Sequence, residues 1–197
     1  MSLTRCKTMV LLALLALGSA HAADMAPASG AAPIASADAY DPNRFEVRGG
    51  FLASTWKPLT GDPYANAEIV LPKLISAPGW QDLLLPRLHA GATGNLVGGP
   101  SYIYVGGLWT LNYDRYFAEA FFGGAVHNGP LRSVNPDQPS LGCRAAYHSG
   151  ANLGYHFDSH WSVMVTFDHL SNGEPTLSHC SANTGLSELG VRVGYSF

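Results

Sequence analysis

The last twelve residues, Leu186-Ser187-Glu188-Leu189-Gly190-Val191-Arg192-Val193-Gly194-Tyr195-Ser196-Phe197, decide how the chain folds. Leu189, Val191, Val193, Tyr195 and Phe197 fall on one face of an extended chain, and Gly190, Arg192, Gly194 and Ser196 on the other. Successive side chains of a strand point to opposite sides, so this period of two specifies a β-strand with one apolar and one polar face. Trp161, Val163, Val165 and Phe167 repeat the pattern one segment earlier, with Ser162, Thr166 and Asp168 opposite.

Working outward, short alternating runs separated by turn residues predict strands over 45–54, 67–74, 87–95, 101–111, 115–127, 141–157, 160–171 and 186–197. Their lengths lie near the roughly 9–11 residues a tilted strand needs to cross a bilayer. Charged residues make up only 13% of the chain. A soluble domain carries about 25–35% charge on its surface, so much of this surface is expected to meet lipid instead. The ending on Phe197, with Tyr195 and Val193 behind it, is similar to the C-terminal signal of outer-membrane barrels. The predicted fold is all-β, an eight-stranded antiparallel transmembrane barrel. Closure leaves no unpaired backbone in hydrocarbon.

The N-terminus supplies the compartment. Arg5 and Lys7 precede an apolar run from Met9 to Leu17, and Ala20-His21-Ala22 has the small-x-small pattern of a cleavage site. Residues 1–22 therefore read as a signal peptide, since the run is far short of the roughly 20 residues of a spanning helix. Residues 23–42, rich in Ala, Pro and Ser, read as a flexible leader, and 43–197 as the barrel, exported to the outer membrane of a Gram-negative cell. After cleavage Cys143 and Cys180 remain, an even number in an oxidising compartment, which predicts a disulfide between them. Two cysteines are too few for a structural zinc site, and His148, His156, His160 and His179 lie at unhelpful spacings. A net charge of −3 argues against a nucleic-acid partner.

Eight strands enclose an interior filled by side chains rather than a wide pore. Glu46, Arg48, Glu119, Arg144 and Arg192 are the predicted inward charges. With periplasmic termini, 128–140 and 172–185 become long external loops, while 112–114 and the junction near 158–159 become tight periplasmic turns. The stretch 75–86, with Pro78-Gly79-Trp80, is expected to form a short helix or interfacial anchor at the periplasmic rim.

The stretch Phe167-Asp168-His169-Leu170-Ser171-Asn172-Gly173 carries the chemistry. His169 and Ser171 are two apart, so they share a face, and parity puts them on the lipid-facing side with Val163, Val165 and Phe167. Near the end of a strand polar groups on that side cost only about 0–1 kcal/mol, so an imidazole and a hydroxyl meeting lipid headgroups is one reading. A serine nucleophile with a histidine base is the other.

The wider stretch resembles the lipid A 3-O-deacylase family. The resemblance rests on His169-Leu170-Ser171-Asn172, on Asn183-Thr184-Gly185 and on the GVRVGYSF ending. It extends to Asn66-Ala67-Glu68-Ile69 and to Gly123-Gly124-Ala125-Val126-His127-Asn128-Gly129. It implies an eight-stranded outer-membrane esterase that removes the acyl chain at the 3-position of lipid A, with lipid A or lipopolysaccharide as partner and no cofactor or metal. Carried over, Ser171 is the nucleophile, His169 the base, and Asn172 with backbone N–H groups near Gly173 the oxyanion hole.

The family places an acidic residue where this chain has Ser187. Three outcomes are open. Glu188, one step on, reaches His169 if a bulge after Gly185 reverses the facing of the strand start. Glu174, in the preceding loop, is a lesser candidate for the same role. Ser187 instead orients the imidazole by a neutral hydrogen bond. Or the site is incomplete and the protein is a non-enzymatic barrel that binds lipopolysaccharide or stabilises the membrane. Whether the barrel forms a homodimer is equally open from sequence.

Overall fold

The computed structural model describes residues 41, 43–55, 61–132, 139–173, 180 and 184–197. The predicted signal peptide and, apart from Asp41, residues 23–42 of the leader lie outside the described residues, as do Glu174, His179 and Asn183. Eight strands form one closed antiparallel barrel: β1 (Glu46–Ser54), β2 (Pro63–Val70), β3 (Arg87–Asn95), β4 (Tyr102–Tyr113), β5 (Tyr116–His127), β6 (Ala145–His156), β7 (Trp161–Ser171) and β8 (Leu186–Ser196). Each pairs with its sequence neighbours, and β8 closes on β1, from Glu46 opposite Ser196 to Ser54 opposite Glu188. The all-β, eight-stranded fold expected from the alternation is the fold observed.

Facing follows the period of two. On β8, Leu189, Val191 and Val193 are about half exposed on the outer wall, while Glu188 and Arg192 are buried in the lumen. On β7, Val165 and Phe167 face out, and Ser162, Met164, Thr166 and Asp168 face in. An outer wall of exposed valines, leucines and phenylalanines around a polar lumen is the arrangement that lipid demands. Aromatic rings gather at the end carrying the tight turns: Tyr116 against Tyr155, Trp161 against Tyr195, and Tyr195 against Phe197, with centroids 4.8–5.2 Å apart. Such rings favour the headgroup level, which marks the membrane boundary there.

The lumen is an ion-pair network. Arg48 donates to both oxygens of Glu46 and of Glu119 at 2.7–2.9 Å, and Arg192 donates to Asp168 at 2.6 Å. Asn152 and Thr110 donate to Glu119, and His89 meets Glu68 at 2.7 Å. Removing one partner from such a buried pair costs about 3–5 kcal/mol, because the other charge is left uncompensated. Four of the five predicted inward charges are there. Arg144 is the exception: it is exposed at the rim and donates to the carbonyls of His127 and Gly129. It precedes the first residue of β6, so strand parity does not govern it.

Two strands differ from expectation. β2 runs from Pro63 to Val70 rather than over 67–74. Its inward side carries Tyr64, Asn66, Glu68 and Val70 and its outward side Pro63, Ala65, Ala67 and Ile69, so apolar residues fall on both faces and the alternation has little contrast. β6 begins at Ala145 rather than at 141. Residues 141–144 instead fold over the barrel mouth: Leu141 is buried, Gly142 takes φ +72°, and their N–H groups donate to Pro130 and Leu131. The anticipated short helix at the opposite rim is a 3-10 turn, Gly79–Leu84, presenting Trp80, Leu83 and Leu84 outward. Lys73 pairs with Asp82, and the Trp109 indole donates to Leu84 O.

Candidate functional site

His169 and Ser171 end β7 and project from its outer wall, both half-buried. Cross-strand register then sets their neighbours. Ser187 of β8 lies opposite His169 on one side and Ser149 of β6 on the other, and Tyr147 lies opposite Ser171. The result is a contiguous polar patch on a wall otherwise built of apolar side chains.

Within the patch, the Ser187 hydroxyl and His169 Nδ1 share a hydrogen bond of 2.8 Å. The Gly173 N–H donates to Ser171 Oγ at 3.3 Å, with Gly173 at φ +73°. Gly185, at φ +68°, packs beside the imidazole: a Cβ there would meet His169 Cε1 at 3.1 Å and Nε2 at 3.7 Å. Only glycine adopts that backbone without strain while leaving room for the ring. Nδ1 is engaged, so the Nε2 side of the ring remains for proton transfer.

Glu188 is elsewhere. No bulge follows Gly185: Leu186, Ser187 and Glu188 pair in unbroken register with Leu170, His169 and Asp168. Glu188 consequently faces the lumen, 1% exposed, and accepts a hydrogen bond from the Tyr102 hydroxyl at 2.7 Å. The residue beside His169 on this strand is Ser187, so Glu188 is corrected from candidate acid to luminal carboxylate. Asn172 is also turned inward, 2% exposed, its side-chain amide donating to Leu141 O at 3.2 Å. That bond ties the site to the folded-over mouth segment.

Cys143 and Cys180 form a disulfide, their Cα atoms 5.6 Å apart. Both line a groove of about 470 Å³ on the outer wall, together with Phe122, Gly124, Ala145 and Tyr147. Gly124 and Ala145 leave the recess, and Tyr147 stacks on Phe122 at 5.8 Å. The groove therefore runs from the neighbourhood of Ser171 along β5 and β6. Of the four histidines set aside in the sequence, three lie among the described residues: His148 meets Asp168 in the lumen, His156 packs against Phe117, and His160 lies at the opposite rim with Ser159. Sequence reasoning missed Ser149 and Tyr147. Strand parity alone puts both on the outer wall, but only the β6–β7 register places them beside His169 and Ser171.

The closed eight-stranded barrel with its apolar outer wall and polar lumen defines a transmembrane β-barrel of the outer-membrane type. A sequence model of the family described as lipid A 3-O-deacylase (PagL) matches residues 80–196, more than half of the chain, and the chain belongs to that family. The assignment makes it an outer-membrane protein of hydrolase type with a lipopolysaccharide-directed role. Among solved structures, the crystal structure of the outer membrane enzyme PagL superposes with a TM-score of 0.59 at 18% identity, covering 76% of this chain and 97% of that one. The backbone structure of the Yersinia pestis outer membrane protein Ail in a phospholipid bilayer nanodisc gives 0.44 at 12% identity, covering 79% and 99%. The first likeness is one of fold. None of the curated proteins matches the chain significantly.

Proposed function

We propose that the protein hydrolyses the ester-linked acyl chain at the 3-position of lipid A. The observation that carries this reading is the hydrogen-bonded Ser187–His169 pair next to Ser171 at the outer rim of the lipid-facing wall. Lipid A is itself a lipid of the outer leaflet, with its esters at the boundary between headgroup and hydrocarbon. A site on the wall at that depth meets the ester without extracting the lipid.

Ser187 Oγ accepts the Nδ1 proton, which fixes the tautomer whose Nε2 is a base. Nε2 removes the Ser171 proton as Oγ bonds to the ester carbonyl carbon. The oxyanion that forms is met by backbone N–H groups around Gly173. Collapse breaks the bond from carbonyl carbon to the sugar oxygen, and the imidazolium returns its proton to that oxygen. Water, deprotonated by His169, then attacks the Ser171 ester; the bond from carbonyl carbon to Oγ breaks, the imidazolium returns its proton to Ser171 Oγ, and the fatty acid is released. The acyl chain runs into the β5–β6 groove. A hydroxyl orients the imidazole but does not neutralise the imidazolium as a carboxylate does, so the enzyme is slower than one with an acid at that position.

Mass spectrometry of lipid A from cells with and without the protein tests the reading. Loss of one 3-linked acyl chain is expected with wild type and not with Ser171→Ala, whose barrel still shows a heat-modifiable band on a gel. Unchanged lipid A in both would leave the site a lipopolysaccharide-binding patch, and equal deacylation by both would remove Ser171 as nucleophile.

A further inference from the structure

The connection between β2 and β3 is unlike the other two at its end of the barrel. Those at 114–115 and 157–160 are short and carry Asp114, Arg115 and Asp158. Residues 71–86 are long, and their only charges are Lys73 and Asp82. These two satisfy each other: Lys73 Nζ donates to the Asp82 carboxylate, which also accepts from the Ala77 N–H at 3.1 Å. The surface left over is apolar. Leu74, Ile75, Trp80, Leu83 and Leu84 are 49–70% exposed. Residues three apart eclipse in a 3-10 turn, so Trp80 and Leu83 form one edge.

Placement identifies what covers that edge. Gly107 and Trp109 alternate outward on β4. The Trp109 indole donates to Leu84 O at 3.0 Å, and Pro86 packs over Gly107, where a Cβ would meet it at 3.1 Å. The segment therefore leans against the outer wall of β4 and does not cross the mouth of the lumen. Trp109 lies four residues before Tyr113 ends the strand, roughly 13 Å along it. The apolar edge is thus continuous with the lipid-facing wall, at the end where the rings of Tyr116, Tyr155, Trp161 and Tyr195 gather. A carbonyl near hydrocarbon needs a partner from the protein, and the Trp109 indole supplies one to Leu84. An uncharged apolar face in that position suits lipid, whereas in water it is an exposed liability.

We propose that residues 74–84 are an interfacial foot that docks into the phospholipid leaflet opposite the one His169 meets. β3 and β4 stand across the closed ring from β7 and β8, so the foot anchors the side of the barrel away from the serine–histidine patch. Nitroxide labels attached after Trp80→Cys, Leu83→Cys or Asn112→Cys test this, in protein purified from outer membranes and returned to phosphatidylethanolamine–phosphatidylglycerol vesicles. A heat-modifiable band confirms that each variant is folded. Oxygen, which partitions into lipid, should relax the labels at 80 and 83 more than a water-soluble nickel chelate does, placing them roughly 5–10 Å below the phosphates. At 112 the order should reverse. Fluorescence supplies a check without labels: the emission lost in Trp80→Phe should be quenched by phospholipid brominated near the headgroup and not by aqueous iodide. Labels at 80 and 83 as open to the chelate as the label at 112 would mean that the edge faces water. Shielding from both oxygen and chelate would mean that a second copy of the chain covers it. Either result overturns the proposal, and neither depends on whether the chain hydrolyses an ester.

Discussion

The Ser187 hydroxyl lies 2.8 Å from His169 Nδ1 on the outer wall, while Glu188, the next residue along β8, points into the lumen toward Tyr102. The neutral side chain therefore holds the histidine, and the carboxylate belongs to the interior. Each consequence of that division can be measured.

Ser187→Ala removes the only oriented partner of Nδ1 seen among the described residues. Deacylation should fall by about 10- to 100-fold, with the barrel intact, as expected for loss of a group that sets tautomer and ring orientation. Ser187→Asp should raise kcat above wild type, because a carboxylate at that position also stabilises the imidazolium. Release of fatty acid from purified lipid A in micelles reads both. A Ser187→Asp enzyme slower than Ser187→Ala would show that Ser187 does not orient the base.

Glu188→Gln keeps an acceptor for Tyr102 and changes nothing on the outer wall. Its kcat/KM should lie within about twofold of wild type, far from the orders of magnitude lost with a triad carboxylate. A hundredfold loss in a barrel that still folds would return Glu188 to the catalytic account.

Gly185→Val places a branched side chain at φ +68°, with its Cβ about 3.1 Å from His169 Cε1 before any adjustment. Backbone strain and displacement of the imidazole act together, and a displacement of about 1 Å is enough to cost roughly 100-fold in rate. The expected outcome is a folded barrel, by heat-modifiability, with kcat reduced at least tenfold. Activity equal to wild type would mean that the ring has more freedom than its packing indicates.

The Cys143–Cys180 disulfide closes a segment with a sequence separation of 37 and joins the folded-over mouth to the last external loop. A cross-link of this span stabilises by typically 2–4 kcal/mol. Cys143→Ser with Cys180→Ser, or reduction of the wild type, should lower the urea midpoint of unfolding. Deacylation should also fall, because both cysteines line the groove next to Tyr147. An unaltered midpoint would show that the mouth is held by Leu141 and its backbone bonds alone.

Much of the protein is decided by its sequence. Alternation over 186–197 and 161–171 is a local property, and it settles that β7 and β8 are strands, which of their residues meet lipid, and that His169 and Ser171 share the outer wall. The lumenal places of Glu46, Arg48, Glu119 and Arg192 follow from the same parity. Where apolar residues fall on both faces of a strand, as in β2 with Tyr64 and Val70 inward and Ala67 and Ile69 outward, the pattern loses contrast, and the strand starts at Pro63 rather than at 67. Arg144 escapes parity because it lies just before its strand begins. What the tertiary structure alone decides is who stands beside whom across strands. Whether Ser187 or Glu188 faces His169 depends on whether the chain bulges after Gly185, and the unbroken β7–β8 register answers it. Ser149, 20 residues before His169, becomes its neighbour only through the β6–β7 pairing. Facing is written into each strand by the alternation of its own side chains, whereas register is set between strands by turn lengths and barrel closure, and these are properties of the whole chain.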